Sequence, residues 1–139
     1  MQRDSPGVVA LLGALIAGEA RGEPVAGQVA VAWVVRNRVA RGGRRWPSTY
    51  DAVMLQPWQF STFNPIAGDQ WDAARTIPAR LAVTTDAHML IARAVVAGIL
   101  PDPTAGADHY FNPSLVMPSW SDSMTTTGTI GGHLCKREG

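Results

Sequence analysis

Apolar residues form an almost unbroken run at positions 8–17, and this run predicts a helix buried in the protein core. Asp4 or Ser5 can cap its amino terminus, and Pro6 suits the first helical position, where a backbone N–H is not needed. We expect the helix to continue to about Ala20. The first predicted element is therefore a buried helix near the amino end of the chain.

The same run also imitates a secretory signal, because a basic residue precedes it. It is too short to span a membrane as a helix. It also continues without a break into segment 18–23, which carries the most informative chemical groups of the chain, and cleavage there would remove or fray that segment. We therefore predict that the chain has no signal peptide and is made in the cytoplasm.

Three further helices are predicted downstream. The second covers about 24–40 and is followed by two glycines, which favour its termination. Its centre, residues 29–35, is apolar on every face, as is typical of a helix in the middle of a domain. A short helix can form at 50–55, and the near-helical spacing of apolar residues predicts a long helix over 79–97. These helices would supply most of the core.

The remaining segments predict loops and a small amount of β-structure. Residues 46–71 are rich in proline, glycine and asparagine, which indicates long loops. Short strands are predicted at 109–111, 125–127 and 129–130, the last leading into the glycine pair 131–132. The pattern predicts an α+β domain that is mostly helical and carries a small β-ribbon.

The composition fits a single globular domain spanning residues 1–139, with 46% hydrophobic and 17% charged residues. These values exclude intrinsic disorder and collagen-like or coiled-coil repeats. The formal net charge of +1 gives no electrostatic reason to expect a nucleic-acid partner. Cys135 is the only cysteine, so no intrachain disulfide can form. Positive charge is concentrated in one segment, which we interpret as a solvated helix end: Arg36, Arg38, Arg41, Arg44 and Arg45.

Glu19 is the residue best placed for catalysis. It ends the first predicted helix, where apolar neighbours and the negative end of the helix dipole both disfavour an ionised carboxylate. A carboxylic acid that stays neutral near pH 7 is what a general acid for glycosidic-bond cleavage requires. The alternative is a structural glutamate paired with Arg21 or Arg36. Glu23, which lies just before the second helix, is interpreted as structural.

A glycosidase with two carboxylates also needs a second acid at a defined distance from the first. No candidate stands out by its sequence setting among Asp51, Asp69, Asp72 and Asp108. Asp51 is interpreted as the cap of the short helix at 50–55. One carboxylate can serve as both acid and base if the substrate supplies its own nucleophile.

The possible metal ligands do not form a recognisable motif. They are His88, His109, His133, Asp108 and Cys135, and their spacing matches no compact metal site. Pairing a histidine with Cys135 or Ser61 as a nucleophile has no supporting local pattern either. We therefore predict neither a metal nor another cofactor.

Several motifs taken together resemble the cell wall hydrolase family of the spore-cortex-lytic enzyme SleB, and they follow the family order along nearly the whole chain. The first group is Glu19-Ala20-Arg21-Gly22-Glu23-Pro24, Gly27-Gln28-Val29-Ala30-Val31-Ala32 and Asn37-Arg38-Val39. The middle group is Pro47, Val53, Gln56-Pro57 and Gln59-Phe60-Ser61. The last group is Asp102-Pro103-Thr104, Gly106-Ala107, His109-Tyr110-Phe111-Asn112-Pro113, Trp120 and Thr129-Ile130-Gly131-Gly132-His133.

The resemblance implies a lysozyme-like, transglycosylase-like domain that cuts peptidoglycan between N-acetylmuramic acid and N-acetylglucosamine. The catalytic glutamate of the family falls on Glu19. Family members act as lytic transglycosylases that leave 1,6-anhydromuramoyl ends, which agrees with the missing second acid. By analogy with lysozyme-like relatives, the residues expected to line the cleft are Gln59, Ser61, Tyr110 and His133. The chain departs from the family at Gly132, commonly asparagine, and at residues 134–136, where aromatic residues are common.

The expected partner is the peptidoglycan glycan strand, with no nucleic acid, no membrane insertion and a monomeric chain. Without an export signal, the domain resembles a phage endolysin that acts on the bacterial wall after release. The alternatives are a hydrolytic muramidase that uses water and an aspartate, a metal-dependent amidase of the stem peptide, and a wall-binding module without activity.

Overall fold

The computed structural model describes residues 6–20, 22–43, 45–56, 59–60, 62, 73–116 and 118–138. The helices in these ranges are α1 (Pro6–Glu19), α2 (Val25–Ala40), α3 (Tyr50–Met54), α4 (Ala73–Leu81) and α5 (Asp86–Val96). The strands are β1 (His109–Phe111), β2 (Thr125–Ile130) and β3 (His133–Arg137), and a 3-10 turn at Ser119–Ser123 precedes β2. The predicted α+β class, mostly helical with a small β-ribbon, is confirmed. In the described ranges, no helix is both long and apolar enough to cross a membrane.

Helix α1 lies at the centre of the core, as its apolar run predicts. Leu12, Leu15 and Ile16 are fully buried, and the helix packs against α2, α3, α4 and α5. Helix α2 supplies Val31 and Val35 to the same core. Each fully buried side chain of this size stabilises the fold by about 1.5–3 kcal/mol relative to an exposed one. The core therefore fixes the direction of α1, and with it the position of the residue that ends the helix. Its predicted caps, at positions 4–5, lie outside the described residues.

The prediction of one continuous helix over 79–97 is wrong, because the structure has two helices there. Helix α4 ends at Leu81, and α5 begins at Asp86. The reason is local. The Thr85 side chain accepts the backbone N–H of His88, and His88 Nδ1 accepts the backbone N–H of Thr85. This reciprocal capping box satisfies the free N–H groups of a new helix and stabilises a break that apolar spacing alone does not reveal.

The three strands form an antiparallel sheet in the order β1-β3-β2. The two short threonine-rich strands predicted before the glycine pair are one strand, β2, with an irregularity in register between Thr126 and Gly128. Gly131 and Gly132 form the turn into β3, and Gly131 takes a positive φ of 56° that favours glycine. A bulge lets one strand continue where simple alternation stops, which explains the apparent gap in the pattern.

A second, smaller apolar cluster joins the sheet to α2. It contains Val34 from α2, Ala107 from the segment before β1, and Cys135 from β3, all fully buried. Burial raises the pKa of the Cys135 thiol to about 11, so the thiol stays protonated near neutral pH. The sheet is thus fixed against the same helix that packs on α1.

Asp102 ties the loop before β1 to α2. Its carboxylate accepts the Thr104 hydroxyl at 2.6 Å, the Thr104 N–H at 2.7 Å and the Gly106 N–H at 3.0 Å. It also accepts the side-chain N–H of Asn37 from α2 at 3.1 Å. Burial alone would raise the pKa of Asp102, but these hydrogen bonds outweigh it and lower the pKa below its usual value. The loop is therefore held by an ionised carboxylate.

Acid should weaken this loop, and the Asp102→Asn variant should show it. A carboxylate whose pKa is lower in the folded state stabilises the fold above its unfolded pKa of about 4 and loses that contribution as pH falls through the folded value. We expect Asp102→Asn to lose about 1–3 kcal/mol of unfolding free energy at pH 6. Urea unfolding at pH values from 6 to 2 should show that the difference in unfolding free energy between wild type and variant becomes smaller as the pH falls. A difference that stays constant with pH would contradict the prediction. Asp122→Asn, at an exposed position, is the control.

Candidate active site

Glu19 is the last residue of α1, and two distant segments hold its carboxylate. The backbone N–H of Thr62 donates to Glu19 Oε1 at 3.2 Å across 43 positions of sequence. Tyr110, in the edge strand β1, makes a side-chain hydrogen bond with the same carboxylate. The side chain is only partly exposed. The carboxylate is thus fixed by partners from a loop and from the sheet, which gives it a defined orientation.

Glu19 borders a pocket of about 610 Å³ that opens between α2, β1 and the 3-10 turn. The described lining is mostly aromatic and charged, and the residues besides Glu19 are Arg38, Arg45, Gln59, Phe60, His109, Tyr110, Trp120, Ser123, Met124 and Glu138. The volume is in the range of pockets that hold small organic ligands. Flat aromatic rings beside hydrogen-bonding groups suit a ligand with both apolar faces and polar edges. A second pocket of about 460 Å³ lies near Gly18 and Thr62.

The four residues predicted to line a cleft with Glu19 have different positions. Gln59 and Tyr110 line the pocket. Ser61 lies outside the described residues. His133 is buried behind Tyr110, with the two ring centroids 5.0 Å apart, and it is not among the described residues that line the pocket. The structure therefore brings Glu19, Gln59 and Tyr110 together.

Glu23 contacts the β2–β3 turn, and His133 contacts Tyr110, which lines the pocket. His133 Nε2 lies 3.8 Å from Glu23 Oε1, and the Gly132 N–H donates weakly to Glu23 Oε2 at 3.4 Å. A Cβ on Gly131 would overlap the Glu23 carboxylate, so this turn needs glycine for the close approach as well as for its φ. Glu23 thus joins the β2–β3 turn to the segment after α1, and His133 in turn packs on Tyr110.

Tyr110 stays protonated near neutral pH. Burial is the main cause that raises its pKa well above 10, and the negative charge of Glu19 adds to it, while Arg38 opposes both. A neutral phenol is a hydrogen-bond donor, so its O–H can donate to the Glu19 carboxylate. Tyr110 therefore holds the Glu19 carboxylate as a hydrogen-bond donor.

Tyr110→Phe should separate positioning from folding. The substitution keeps the ring against His133 and removes the hydroxyl that holds Glu19. A hydrogen bond to a charged group contributes about 1.5–3 kcal/mol, so we expect the rate of substrate turnover to fall roughly 10- to 100-fold. Circular dichroism and urea unfolding should show a change in stability much smaller than the change in rate. Wild-type turnover by this variant would contradict the assigned role.

Arg38 is a buried cation in the pocket wall, so the interpretation of the arginine-rich segment as a solvated helix end is wrong for this residue. Only 4% of it is exposed. Its guanidinium lies 4.1 Å from the Trp46 ring centroid and 4.7 Å from that of Phe60, and Nε donates to the Asp108 carbonyl at 2.8 Å. Burial lowers its pKa to about 10, which leaves it charged at neutral pH. Aromatic faces and a carbonyl replace the water that a surface arginine would bind.

Neither of the two candidate second acids that the structure describes, Asp51 and Asp108, lines the pocket. Asp108 is fully buried and forms an ion pair with Arg41. Asp51 lies within the first turn of α3, and the cap position belongs to Thr49, so its interpretation as the cap is wrong. Asp69 and Asp72 lie outside the described residues. The pocket does contain a carboxylate that sequence reasoning missed, Glu138, which pairs with Arg45 at 3.2 Å.

Several other pocket residues are not predicted as site residues from the sequence, among them His109 and Trp120. The sequence offers His109 as a possible metal ligand or partner of a nucleophile, and Trp120 only as part of a family motif. Both belong to motifs that the resemblance contains, which is the one sequence feature that could have indicated them. Within the described ranges, no three His, Cys, Asp or Glu side chains form a group that could hold a metal ion.

Two solved structures from Bacillus species share this architecture. The structure superposes on the catalytic domain of the Bacillus cereus SleB protein with a TM-score of 0.74 and 28% identity, covering 96% of this chain and 91% of that one. It superposes on the catalytic domain of the germination-specific lytic transglycosylase SleB from Bacillus anthracis with a TM-score of 0.73 and 27% identity, covering 96% of each chain. The fold is therefore that of a SleB catalytic domain.

Sequence comparison gives the family. Residues 22–135 match the model of the cell wall hydrolase family. The spore cortex-lytic enzyme of Halalkalibacterium halodurans is 33% identical over 126 residues, which is 91% of this chain and 33% of that protein. That of Bacillus cereus is 34% identical over 129 residues, or 92% of this chain and 44% of that protein. The chain thus spans less than half the length of these relatives. It belongs to the cell wall hydrolase family.

Proposed function

We propose that this chain is a peptidoglycan-degrading enzyme that cleaves the bond between N-acetylmuramic acid and N-acetylglucosamine as a lytic transglycosylase. The observation that carries the proposal is the Glu19 carboxylate, held by Thr62 and Tyr110 at the edge of a pocket with aromatic walls. Family membership and the similarity to the lytic transglycosylase SleB from Bacillus anthracis support the same class of reaction. The substrate would be a glycan strand.

Glu19 would act first as an acid and then as a base. Its proton passes to the bridging oxygen, the bond from that oxygen to the anomeric carbon breaks, and the N-acetylglucosamine chain leaves as an alcohol. The muramic 6-hydroxyl oxygen then bonds to the anomeric carbon, and its proton returns to Glu19. The product is a 1,6-anhydromuramoyl end, and no water is consumed. One carboxylate suffices because the nucleophile belongs to the substrate.

Tyr110 and Thr62 would serve this cycle by keeping the carboxylate in place while its charge changes. Their two hydrogen bonds come from the sheet and from the loop that follows α3. Preorganised donors near a group that changes charge reduce the reorganisation needed during reaction. Arg38, held between two aromatic rings, adds a fixed positive charge to the same pocket.

A hydrolytic muramidase is the second candidate, and Glu138 is the observation that favours it. This carboxylate lines the same pocket as Glu19 and could activate a water molecule. Glu138 is held in the pocket wall by two contacts. Its carboxylate pairs with Arg45, and its backbone N–H donates to Asp108. A role as a base would require it to leave Arg45.

Mass spectrometry of the fragments released from purified sacculi distinguishes the two reactions. Transglycosylation gives muropeptides one water lighter than the reducing products of hydrolysis. We expect the lighter products from wild type, and we expect Glu138→Gln to release the same products at a similar rate. Reducing products that disappear in Glu138→Gln would establish the muramidase instead. New free amino termini or an absence of fragments would contradict both glycosidase reactions.

A further inference from the structure

His109 lines the same pocket as Glu19, and a buried carboxylate orients it. Asp108 is fully buried, and its Oδ1 lies 2.9 Å from His109 Nδ1. The same carboxylate pairs with Arg41 and accepts the backbone N–H of Glu138 at 2.9 Å. Burial opposes its ionisation, but the hydrogen bonds from His109 and Glu138 and the charge of Arg41 lower the pKa of Asp108 below its usual value. Asp108 is therefore an ionised acceptor.

An ionised acceptor beside Nδ1 determines the tautomer of the histidine. The Nδ1 of His109 must carry a hydrogen to donate to Asp108, so in the neutral ring Nε2 is left as an acceptor. Nε2 lies on the ring edge away from Asp108, and the ring as a whole lines the pocket. A carboxylate that fixes a histidine in this way also fixes the direction in which its other nitrogen points.

Aromatic neighbours hold the His109 ring and extend the wall. Its centroid lies 5.4 Å from that of Trp46 and 4.9 Å from that of Trp120. Trp46 is buried, whereas Trp120 is 38% exposed and meets the edge of Phe111 at 5.6 Å. The exposed tryptophan is braced by its neighbours in the pocket wall, which suits it for contact with the apolar face of a sugar ring.

Two of the polar side chains in this wall, Arg38 and Arg45, can only donate hydrogen bonds. His109 Nε2 places an uncharged acceptor in the same wall. Amino sugars present both acetamido N–H and hydroxyl groups, which need acceptors.

We infer that His109 and Trp120 form a sugar-binding subsite, in which Trp120 stacks on a pyranose ring and His109 Nε2 accepts a hydrogen bond from an N–H or O–H of an N-acetylated amino sugar. Asp108 is the positioning residue of this subsite. The inference rests on the proposed function for its substrate class. It assigns His109 to binding and leaves proton transfer to Glu19.

Binding and turnover must be measured separately to test this subsite. The binding probe is soluble, uncross-linked glycan strands from sacculi, titrated against the Glu19→Gln protein by calorimetry. Adding His109→Phe, which keeps an aromatic ring between the tryptophans, should raise Kd about tenfold, since each tenfold step is about 1.4 kcal/mol. Adding Trp120→Ala should have a similar or larger effect. With Glu19 intact, either change should raise KM while kcat stays within about threefold.

Asp108→Asn tests the positioning role, with Arg41→Gln as its matched control. An asparagine can donate to Nδ1 and favour the other tautomer, whereas Arg41→Gln removes the ion pair and leaves the carboxylate on His109. Weakened binding in Asp108→Asn but not in Arg41→Gln supports the inference. Equal weakening in both would mean that the ion pair matters and not the tautomer, which overturns the positioning role.

The outcomes separate this inference from the proposed function. An unchanged Kd in His109→Phe, or a loss of kcat with unchanged Kd, overturns the subsite even if the wild type releases anhydro products. Conversely, strands that bind through His109 without being cleaved by wild type overturn the proposed function and leave the subsite standing.

Discussion

Glu19→Gln is expected to lower the rate of fragment release from sacculi by roughly 10³-fold, because a glutamine can neither give nor take the proton that the proposed reaction moves. The amide has nearly the same shape as the carboxylic acid. Its oxygen can still accept the Thr62 N–H that now reaches Glu19 Oε1 at 3.2 Å. We therefore expect a folded protein whose unfolding free energy lies within about 1 kcal/mol of wild type. Turbidity clearing and fragment release measure the rate.

Glu23→Gln is the matched control for this variant, since it changes the same side chain four positions later. Glu23 contacts the β2–β3 turn and is not among the described residues that line the pocket with Glu19. Its glutamine form can still accept the Gly132 N–H, so we expect the rate to stay within about tenfold of wild type. An inactive Glu23→Gln beside an active Glu19→Gln would show that the acid is the wrong glutamate.

Gly18→Ala is expected to lower the rate about 10²-fold with only a small change in stability. Gly18 precedes Glu19 in α1, and a Cβ there would overlap Thr62 Oγ1 and lie 2.6 Å from Thr62 Cγ2. Thr62 would have to move, and its N–H would leave the Glu19 carboxylate. Displacing a catalytic group by about 1 Å can cost 10²-fold. The helix itself gains up to about 1 kcal/mol from alanine, which offsets part of the overlap.

A second substitution and a control identify the cause of this loss. Thr62→Ala removes the two Thr62 atoms nearest the new methyl group, so the double variant Gly18→Ala/Thr62→Ala should recover at least part of the rate. Gly13→Ala is made in the same helix, where the new Cβ meets the Met89 sulfur at 2.6 Å, and neither residue is among the described residues that line the pocket of Glu19. It should remain active. Equal losses at Gly13 and Gly18 would point to the helix and not to the loop contact.

The sequence predicted the position of Glu19 at a helix end, because the evidence for that position is local. An apolar run predicts α1, and the end of that run places Glu19 at a helix terminus. The sequence could not indicate how the carboxylate is held. Thr62 and Tyr110 lie in separate segments, and neither threonine nor tyrosine has a pattern that reveals a partner so far away.

The positions of charged residues in the sequence predicted little about which of them are buried near the site. A cluster of arginines around the end of α2 suggested a solvated surface, yet Arg38 is buried between Trp46 and Phe60. Asp108, one of several equivalent aspartates in the sequence, is fully buried with its own ion pair. Whether a charged residue lies inside or outside depends on partners that chain folding supplies, because burial of a charge is tolerated only where hydrogen bonds or ring faces replace water.

The family motifs are a second kind of sequence information, and they say more about some residues than about others. They included His109 and Trp120 without saying what either does, and they included Glu23 as part of the same block as Glu19. At Cys135, where aromatic residues are common in the family, the small thiol fills a tight contact with Val34 and Ala107. A family motif thus identifies which positions resemble the family, and the packing of each side chain shows what that residue contacts in the fold.

The sequence by itself determined the elements whose cause is short-range. These are α1 with Glu19 at its end, α2, the short helix α3, and the hairpin that turns at its glycine pair, since periodicity and turn chemistry act over a few residues. The tertiary structure alone decided the burial of Arg38 and the orientation of His109 by Asp108. Apolar periodicity predicts which face of an element is buried. It does not predict which polar group from another segment will contact a given side chain, and those contacts form the pocket.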